Sequence, residues 1–474
     1  MLFNSSAFLM FLLVSVPLYC LLPLSRRKLA LLALSYIFYG IWSVPYLLLL
    51  AAVTGVAYVS GLWIGSARTE GHRKRALGTS LALLLSVLIL FKYAGVLGAL
   101  AQLAGVEADA FTRLLVPLGI SYYTFKLISY VMDVYWDKIP CERDPAAFAL
   151  YPAFFPQILS GPIQRPADFL PQIHQPAPND PGLITSGLRL MLFGYFKKVV
   201  VADSLGPFVD QVYADPSGTN SLCVLLACYA YVFQLYADFS GFTDIAIGTG
   251  RLFGIRSPKN FSMPFYAPNL QEFWRRWHMT LTRWLADYVF TPLRMTFRSW
   301  GSLGIVLAIT VNFAAIGLWH GATLPFLAFG LLHAVYMCVS VFTLPARNAF
   351  FDRRPGWARA RIVWAPLITF QLWTLSEIFF RADSLDQAGR VLGALLDLDA
   401  AKPWVFGYGK EAFLWSVFLI LVMEAVHWVQ SKGRWEFIWS RKWAAPRWAV
   451  YYAMTFAVLH QCAGAARQFI YFKF

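Results

Sequence analysis

The chain has 474 residues, 58% of them hydrophobic and only 14% charged, with a formal net charge of +15. Soluble domains of this length carry about 25% charged residues. Charge-free apolar stretches able to cross about 30 Å of hydrocarbon recur along this one. The alternating ten-residue pattern of an outer-membrane barrel is missing, so the composition predicts an all-α polytopic membrane protein.

In chain order, the apolar stretch Phe8–Leu24 precedes the first charge, Arg26. A secretory signal carries its positive charges before the apolar region, so this reads as a retained first helix. Arg26, Arg27 and Lys28 mark a cytoplasmic turn, which places the N-terminus outside. After two further spans the cluster Arg68–Arg75 ("RTEGHRKR") is again inside, and the Trp42–Tyr46 link is external. Spans are expected near residues 3–24, 29–44, 46–65, 77–97, 117–134, 183–203, 220–237, 279–296, 301–319, 324–345, 362–380, 412–430 and 447–463. That gives roughly 11 to 13 membrane-embedded helices, some re-entrant, in one domain over residues 1–474. The positive balance follows from basic cytoplasmic loops. A second reading adds a cytoplasmic mouth that attracts an anionic substrate. Six scattered cysteines offer neither a metal spacing nor a disulfide framework.

Two segments are neither clean spans nor clean loops. "YPAFFPQILSGPIQRP" (Tyr151–Pro166) holds four prolines and a Gly-Pro pair, which argue against a continuous helix. "YADFSGFTDIAIGTG" (Tyr236–Gly250) puts Asp238 and Asp244 directly after a charge-free helix. Irregular backbone at membrane depth must face protein or a water-filled cavity, so both segments predict an interior cavity.

In Gln271–Arg294 ("QEFWRRWHMTLTRWLADYVFTPLR"), Trp274, Trp277, Leu281, Trp284 and Tyr288 recur at three- and four-residue steps. The spacing predicts one helical face, with Arg275, Arg276, Arg283 and Asp287 mostly off it and the start at the cytoplasmic interface. His278 borders the apolar stripe. His320 lies in a run from Ser299 to Ala346 without Asp, Glu, Lys or Arg. Gly317 and Gly321 bracket it and Pro325 follows, so its helix is expected to break there. His333, His427 and His460 also sit in apolar runs, and a core histidine satisfied by a carbonyl is the plain alternative for each. Intramembrane ionisable groups are nevertheless functional candidates. A buried imidazole stays neutral and can take a proton from a hydroxyl, the general-base role in acyl transfer. A nearby donor can stabilise the oxyanion.

The sequence resembles the membrane-bound O-acyltransferase family, and within it the bacterial alginate O-acetyltransferase branch. The resemblance rests on "MLFNSSAFLMF", "FKYAGVL", "VPLGISYYTFKLISYVMDVY", "FFPQILSGPIQRP", "LFGYFKKVVVADSL", "DFSGFTDIAIGTGRLFGI", "NFSMPFYAPNLQEFWRRWHMTLTRWLADYVFTPL", "GLWHGA", "EIFFRADSL" and "FIYFKF", in family order over almost the whole chain. It implies a catalytic His320 in the "WHG" element and a second signature residue at His278. It also implies that the two meet in a central funnel or channel; Trp319 and Asp238 are candidates for substrate binding. The implied donor is a cytoplasmic thioester such as acetyl-CoA, with no bound cofactor and no metal. The implied partners are a periplasmic esterase-like (SGNH-type) acetyl carrier, polysaccharide-synthesis machinery and membrane lipid, with no nucleic acid. The implied setting is the bacterial inner membrane and modification of an exopolysaccharide such as alginate.

Arg275 and Arg276 are candidates for coenzyme A phosphates at the inner mouth, against a reading as ordinary interfacial arginines. Lys197 and Lys198 carry the same ambiguity. Asp238 and Asp244 read as internal hydrogen-bond anchors more readily than as acids. Transfer of D-alanine from a carrier protein to teichoic acid is an alternative within the class. A transporter would show pseudo-symmetric half-helices, and none is found. Neither "DFSGF" nor "LSGPI" is a Gly-x-Ser-x-Gly elbow, and no dinucleotide fingerprint is visible.

Overall fold

The computed structural model describes residues 3–104, 114–431, 444–462 and 469–470, and every regular element among them is helical. The first ten helices are α1 (Ser6–Leu21), α2 (Leu24–Gly40), α3 (Val44–Ser66), α4 (Glu70–Lys92), α5 (Ala94–Leu103), α6 (Ile120–Tyr135), α7 (Pro145–Ala153), α8 (Phe155–Ile158), α9 (Pro166–His174) and α10 (Pro181–Tyr195). A π-helical turn over Phe196–Ala202 leads into α11 (Asp203–Ala214) and α12 (Ser221–Leu252). Then come α13 (Leu270–Arg276), α14 (Met279–Leu285), α15 (Thr291–Thr296), α16 (Ser302–His320), α17 (Leu324–Asp352), α18 (Pro355–Arg381), α19 (Leu385–Leu396), α20 (Lys410–Ser431) and α21 (Ala444–Cys462).

Among the described residues, seven helices are long and apolar enough to cross a membrane: α3, α4, α12, α16 and α17, with most of α18 and α20. The chain is an all-α polytopic membrane protein. Two expectations change. Residues 279–296 do not form a span, because α14, a π-helical turn at Ala286–Phe290 and α15 divide them into short pieces. The segment 236–250 is regular, lying wholly inside the 32-residue α12. Its glycines and aspartates are absorbed because the helix satisfies its own backbone.

The backbone gathers into two compact units, residues 1–191 with 243–259, and residues 192–242 with 260–474. In the first, the proline-rich stretch departs from helix as expected: α7 ends at Ala153, α8 is one turn, and residues 161–165 are irregular. Buried side chains pin that backbone. Lys126 Nζ donates to the Tyr151 carbonyl at 3.0 Å and to Gln157 Oε1 at 2.7 Å, and Gln157 Nε2 donates to Gln164 Oε1 at 2.6 Å.

In the second unit, α16 and α17 form a tight hairpin. A Cβ at Gly317 would collide with the Phe326 carbonyl oxygen, and one at Gly330 with the Phe313 carbonyl oxygen. Two glycines thus bring the helix backbones into contact on either side of the turn that follows His320.

Candidate active site

His320 is the last residue of α16; Gly321 is extended and α17 starts at Leu324. The expected helix break is present, and it leaves the imidazole at a chain reversal. The side chain is 5% exposed. Its ring is packed by Trp319 (4.8 Å between centroids), Phe380 (4.7 Å), Phe326 (6.1 Å) and Phe329 (6.1 Å). This aromatic sheath excludes water and keeps the local dielectric low, which strengthens every electrostatic contact inside it.

His278 is where the expected long helix breaks. Its φ is +39°, a left-handed conformation that non-glycine residues rarely adopt, and it separates α13 from α14. Asn260 supplies the compensation. Its Oδ1 lies 3.2 Å from His278 Nδ1 and accepts from Thr280 N at 3.1 Å and Thr280 Oγ1 at 2.9 Å, while its carbonyl accepts from Met279 N at 2.9 Å. Strain of this kind costs about 1–3 kcal/mol and persists where the surroundings over-determine it. His278 is buried, with the ring of Phe239 at 4.8 Å.

Trp319 brings the two histidines into one cluster: its indole is 5.6 Å from the His278 ring and 4.8 Å from that of His320. The other buried histidines have plain structural explanations. His333 Nδ1 accepts from Trp274 Nε1 at 3.4 Å and its Nε2 pairs with Ser376 Oγ at 2.9 Å. His427 sits between Tyr236 Oη and Glu424 Oε1, each at 3.3 Å.

A cavity of about 500 Å³ lies beside this cluster, lined by residues that include Lys198, Tyr231, Gln234, Asp238, Phe326 and Arg381. It reaches Phe326, one of the rings around His320, and Thr323, three residues beyond it; His320 itself is not among its lining residues. Asp238 is fully buried, with Oδ1 2.6 Å from Lys198 Nζ and Oδ2 accepting from the Ile470 amide at 2.7 Å. Lys198 also pairs with Asp203 at 2.8 Å, and Arg381 pairs with Asp210 at 3.0 Å. Lys198 sits on the π-helical turn, a device that re-aims side chains at functional sites. Lys197 is buried as well and donates to Ser240 Oγ at 3.0 Å. Neither lysine is presented at a surface.

Arg275 and Arg276 both pair with Glu272 within α13, at 3.6 Å and 2.9 Å, and Arg275 is largely exposed. Neither lines the cavity. Asp244 is half-buried in the first unit. So His278, His320 and Trp319 come together, Asp238 lies on the adjoining cavity, and the two arginines stay apart from it. Sequence reasoning passed over Asn260, Phe326, Phe380 and Glu377. The first lies in "NFSMPF" and the last opens "EIFFR" as a lone acid in an apolar run, a signal that could have been followed.

Comparison with known proteins identifies the family of the chain. The sequence profile of "MBOAT, membrane-bound O-acyltransferase family" matches residues 142–380, the stretch that carries both histidines. The chain is 38% identical over 410 residues to a probable alginate O-acetylase AlgI of Azotobacter vinelandii, covering 83% of this chain and 78% of the relative. It is 32% identical over 403 residues to a peptidoglycan O-acetyltransferase of Helicobacter pylori, covering 79% and 75%. To a teichoic acid D-alanyltransferase of Bacillus subtilis it is 33% identical over 238 residues, covering 48% and 59%. A membrane-embedded helical body with its paired histidines on the shared segment, and relatives matched over most of their length, lead to one assignment: the chain belongs to the membrane-bound O-acyltransferase family and is an O-acyltransferase.

Proposed function

We propose that this enzyme takes an acetyl group from a cytoplasmic thioester, acetyl-CoA, and delivers it across the inner membrane for O-acetylation of an extracytoplasmic polysaccharide. The observation that carries the reading is the Trp319 indole lying against both imidazoles, which makes His278 and His320 one cluster at the end of α16. His320 accepts the proton of the acceptor hydroxyl as its oxygen attacks the thioester carbonyl. His278 polarises that carbonyl and steadies the oxyanion. The C–S bond then breaks and the thiolate takes the proton from the His320 imidazolium. Trp319 and Asp238 contribute to holding substrate, and Arg275 and Arg276 attract the donor's phosphates.

The distribution of charge supports an orientation for the cluster. Arg294 and Arg298 precede α16, and Arg347, Arg353, Arg354, Arg359 and Arg361 surround the link from α17 to α18. Basic flanks mark the cytoplasmic side, so the turn after His320 and the C-terminal end of α18 face outward. The cavity beside them is the acceptor's mouth, and a periplasmic esterase-like carrier together with polysaccharide-synthesis machinery would receive the acetyl group. The D-alanyl alternative is less favoured, because acetyltransferase relatives match about four-fifths of the chain and the D-alanyltransferase relative under half.

The test is His320→Ala in the full-length protein. Loss of acetyl-CoA-dependent transfer with normal membrane insertion is expected. Undiminished transfer refutes the role, and loading by an aminoacylated carrier but not by acetyl-CoA replaces the acetyl reading.

A further inference from the structure

A second cavity, of about 660 Å³, lies between α17 and α18 toward the link that joins them, away from His320. One stripe of each helix faces it. On α17 the stripe runs Tyr336, Ser340, Thr343, Arg347; on α18 it runs Arg361, Ala365, Ile368, Leu372. Both step by four, three and four residues, so each is a single helical face. Small residues such as Ser340, Thr343 and Ala365 let neighbouring helices in a membrane touch. Here they leave a groove instead. Val339 and Ile368 line it and are 56% and 51% exposed, so it opens sideways from the helix pair. Both helices are long and apolar enough to cross a membrane, which makes lipid the solvent at that opening.

Length and charge select the occupant. Tyr336 to Arg347 and Leu372 to Arg361 are both eleven-residue intervals. Each is about 16 Å of helix, close to half of a hydrocarbon core of about 30 Å and so to the depth of one leaflet. An acyl chain laid in the groove reaches Tyr336 when its headgroup is level with the two arginines. Both arginines stand at the end next to the link. Arg347 Nη2 donates to the Ser340 carbonyl at 3.0 Å, and the Arg361 guanidinium lies over the Phe351 ring at 4.6 Å. These contacts hold the side chains without neutralising them. Among the described residues neither arginine forms an ion pair, and no carboxylate lines the groove. A phosphodiester supplies the missing counter-charge in the bidentate geometry that guanidinium favours. Basic pockets between spanning helices bind anionic headgroups in this way.

We propose that the groove between α17 and α18 binds one anionic phospholipid, with its phosphate held by Arg347 and Arg361 and an acyl chain along Thr343, Ala365 and Ile368. On the orientation given above, the lipid comes from the cytoplasmic leaflet. It is a structural ligand and takes no part in acyl transfer. It fills the space between two helices whose opposite ends supply Phe326, Phe329 and Phe380 to the His320 ring. A ligand that binds only the folded chain stabilises it, so this lipid braces the hairpin that carries the sheath.

The experiment uses the full-length protein, delipidated in detergent. It is titrated with dioleoylphosphatidylglycerol or dioleoylphosphatidylcholine, which share their chains, and bound lipid is counted by native mass spectrometry. For wild type we expect the anionic lipid to bind about ten-fold tighter than the zwitterionic one. Arg347→Gln and Arg361→Gln should each weaken its binding about ten-fold, the effect of losing one hydrogen bond to a charged group. Thr343→Leu, which fills the groove, should weaken both lipids. Arg353→Gln and Arg359→Gln lie outside the groove and should leave the preference unchanged. Equal affinity for the two lipids, undiminished binding in both groove-arginine variants, or the same loss in the outer variants overturns the site. Displacement of the anionic lipid by coenzyme A also overturns it, by giving the arginines to a soluble phosphate ligand. No arm needs turnover, so the site holds or fails separately from the acetyl-transfer reading. Should Arg347→Gln lower expression, Arg361→Gln and Thr343→Leu carry the same readout.

Discussion

Asn260 and His278 form a clasp: the amide oxygen of Asn260 sits 3.2 Å from His278 Nδ1 while it also accepts the amide and hydroxyl of Thr280. That single oxygen holds the imidazole and the first turn of α14 in register, with the histidine backbone in the left-handed region. Replacing Asn260 by Ala leaves buried donors unmet, so a stability loss of about 2–3 kcal/mol is expected. Thermal unfolding of detergent-purified protein checks it; an unshifted transition would show that the clasp is dispensable.

The same geometry separates the backbone role of residue 278 from the chemical role proposed for it. Asparagine tolerates positive φ far better than β-branched residues. His278→Asn should therefore fold like wild type and lose about 10–100-fold in rate, since its amide can still donate to a developing oxyanion. His278→Val should lose stability as well. Equal melting temperatures for the two variants would contradict the strain seen at this position.

At Gly317 a methyl group would strike the Phe326 carbonyl oxygen. Gly317→Ala should cost about 1–3 kcal/mol through overpacking. By prising the α16–α17 hairpin apart it should also displace His320, for which a rate loss near 100-fold is the expected scale for a misplacement of about 1 Å. Activity assays on protein matched for folded fraction distinguish the two effects.

Lys198 pairs with both Asp238 and Asp203 from a fully buried position. Lys198→Met strands two carboxylates, and losses of about 3–5 kcal/mol accompany the breaking of a buried pair. Asp238→Asn keeps an acceptor for the Ile470 amide and should cost less. Chemical denaturation of the two variants side by side gives the order, and a reversal would mean that the ion pair is secondary to the backbone contact.

Phe326 lines the cavity and also packs near the His320 ring, so Phe326→Ala should widen access to the imidazole. The expected outcome is faster hydrolysis of the thioester by water and a lower ratio of transfer to hydrolysis. An unchanged ratio would assign the water-excluding role to Phe329 or Phe380.

The membrane class, the irregular Tyr151–Pro166 stretch and the break at His320 were legible because each has a local cause: apolar run length, proline and glycine chemistry, or a missing charge. The break at His278 was not. Trp274, Trp277, Leu281, Trp284 and Tyr288 keep helical spacing on both sides of it, and the interruption is enforced by Asn260, eighteen residues earlier. Periodicity cannot register a backbone turn that a distant side chain stabilises. Asp238 and Asp244 misled in the opposite way. A charge after an apolar helix suggested irregular backbone, but α12 continues because Lys198 meets Asp238 from another element. The aromatic sheath of His320 drew Phe326, Phe329 and Phe380 from two helices, and no linear pattern joins them.

The hydrogen bond from Ile470 to Asp238 closes a loop of 232 residues. Contacts between residues so distant along the chain form late, since the entropy of bringing them together must be met before they stabilise anything. During synthesis Asp238 is inserted long before its amide partner leaves the ribosome. Nascent enzyme therefore passes through a stage at which the spanning helices up to α20 can be seated while this corner of the cavity is still unfinished, so its completion should be a distinct late step of biogenesis.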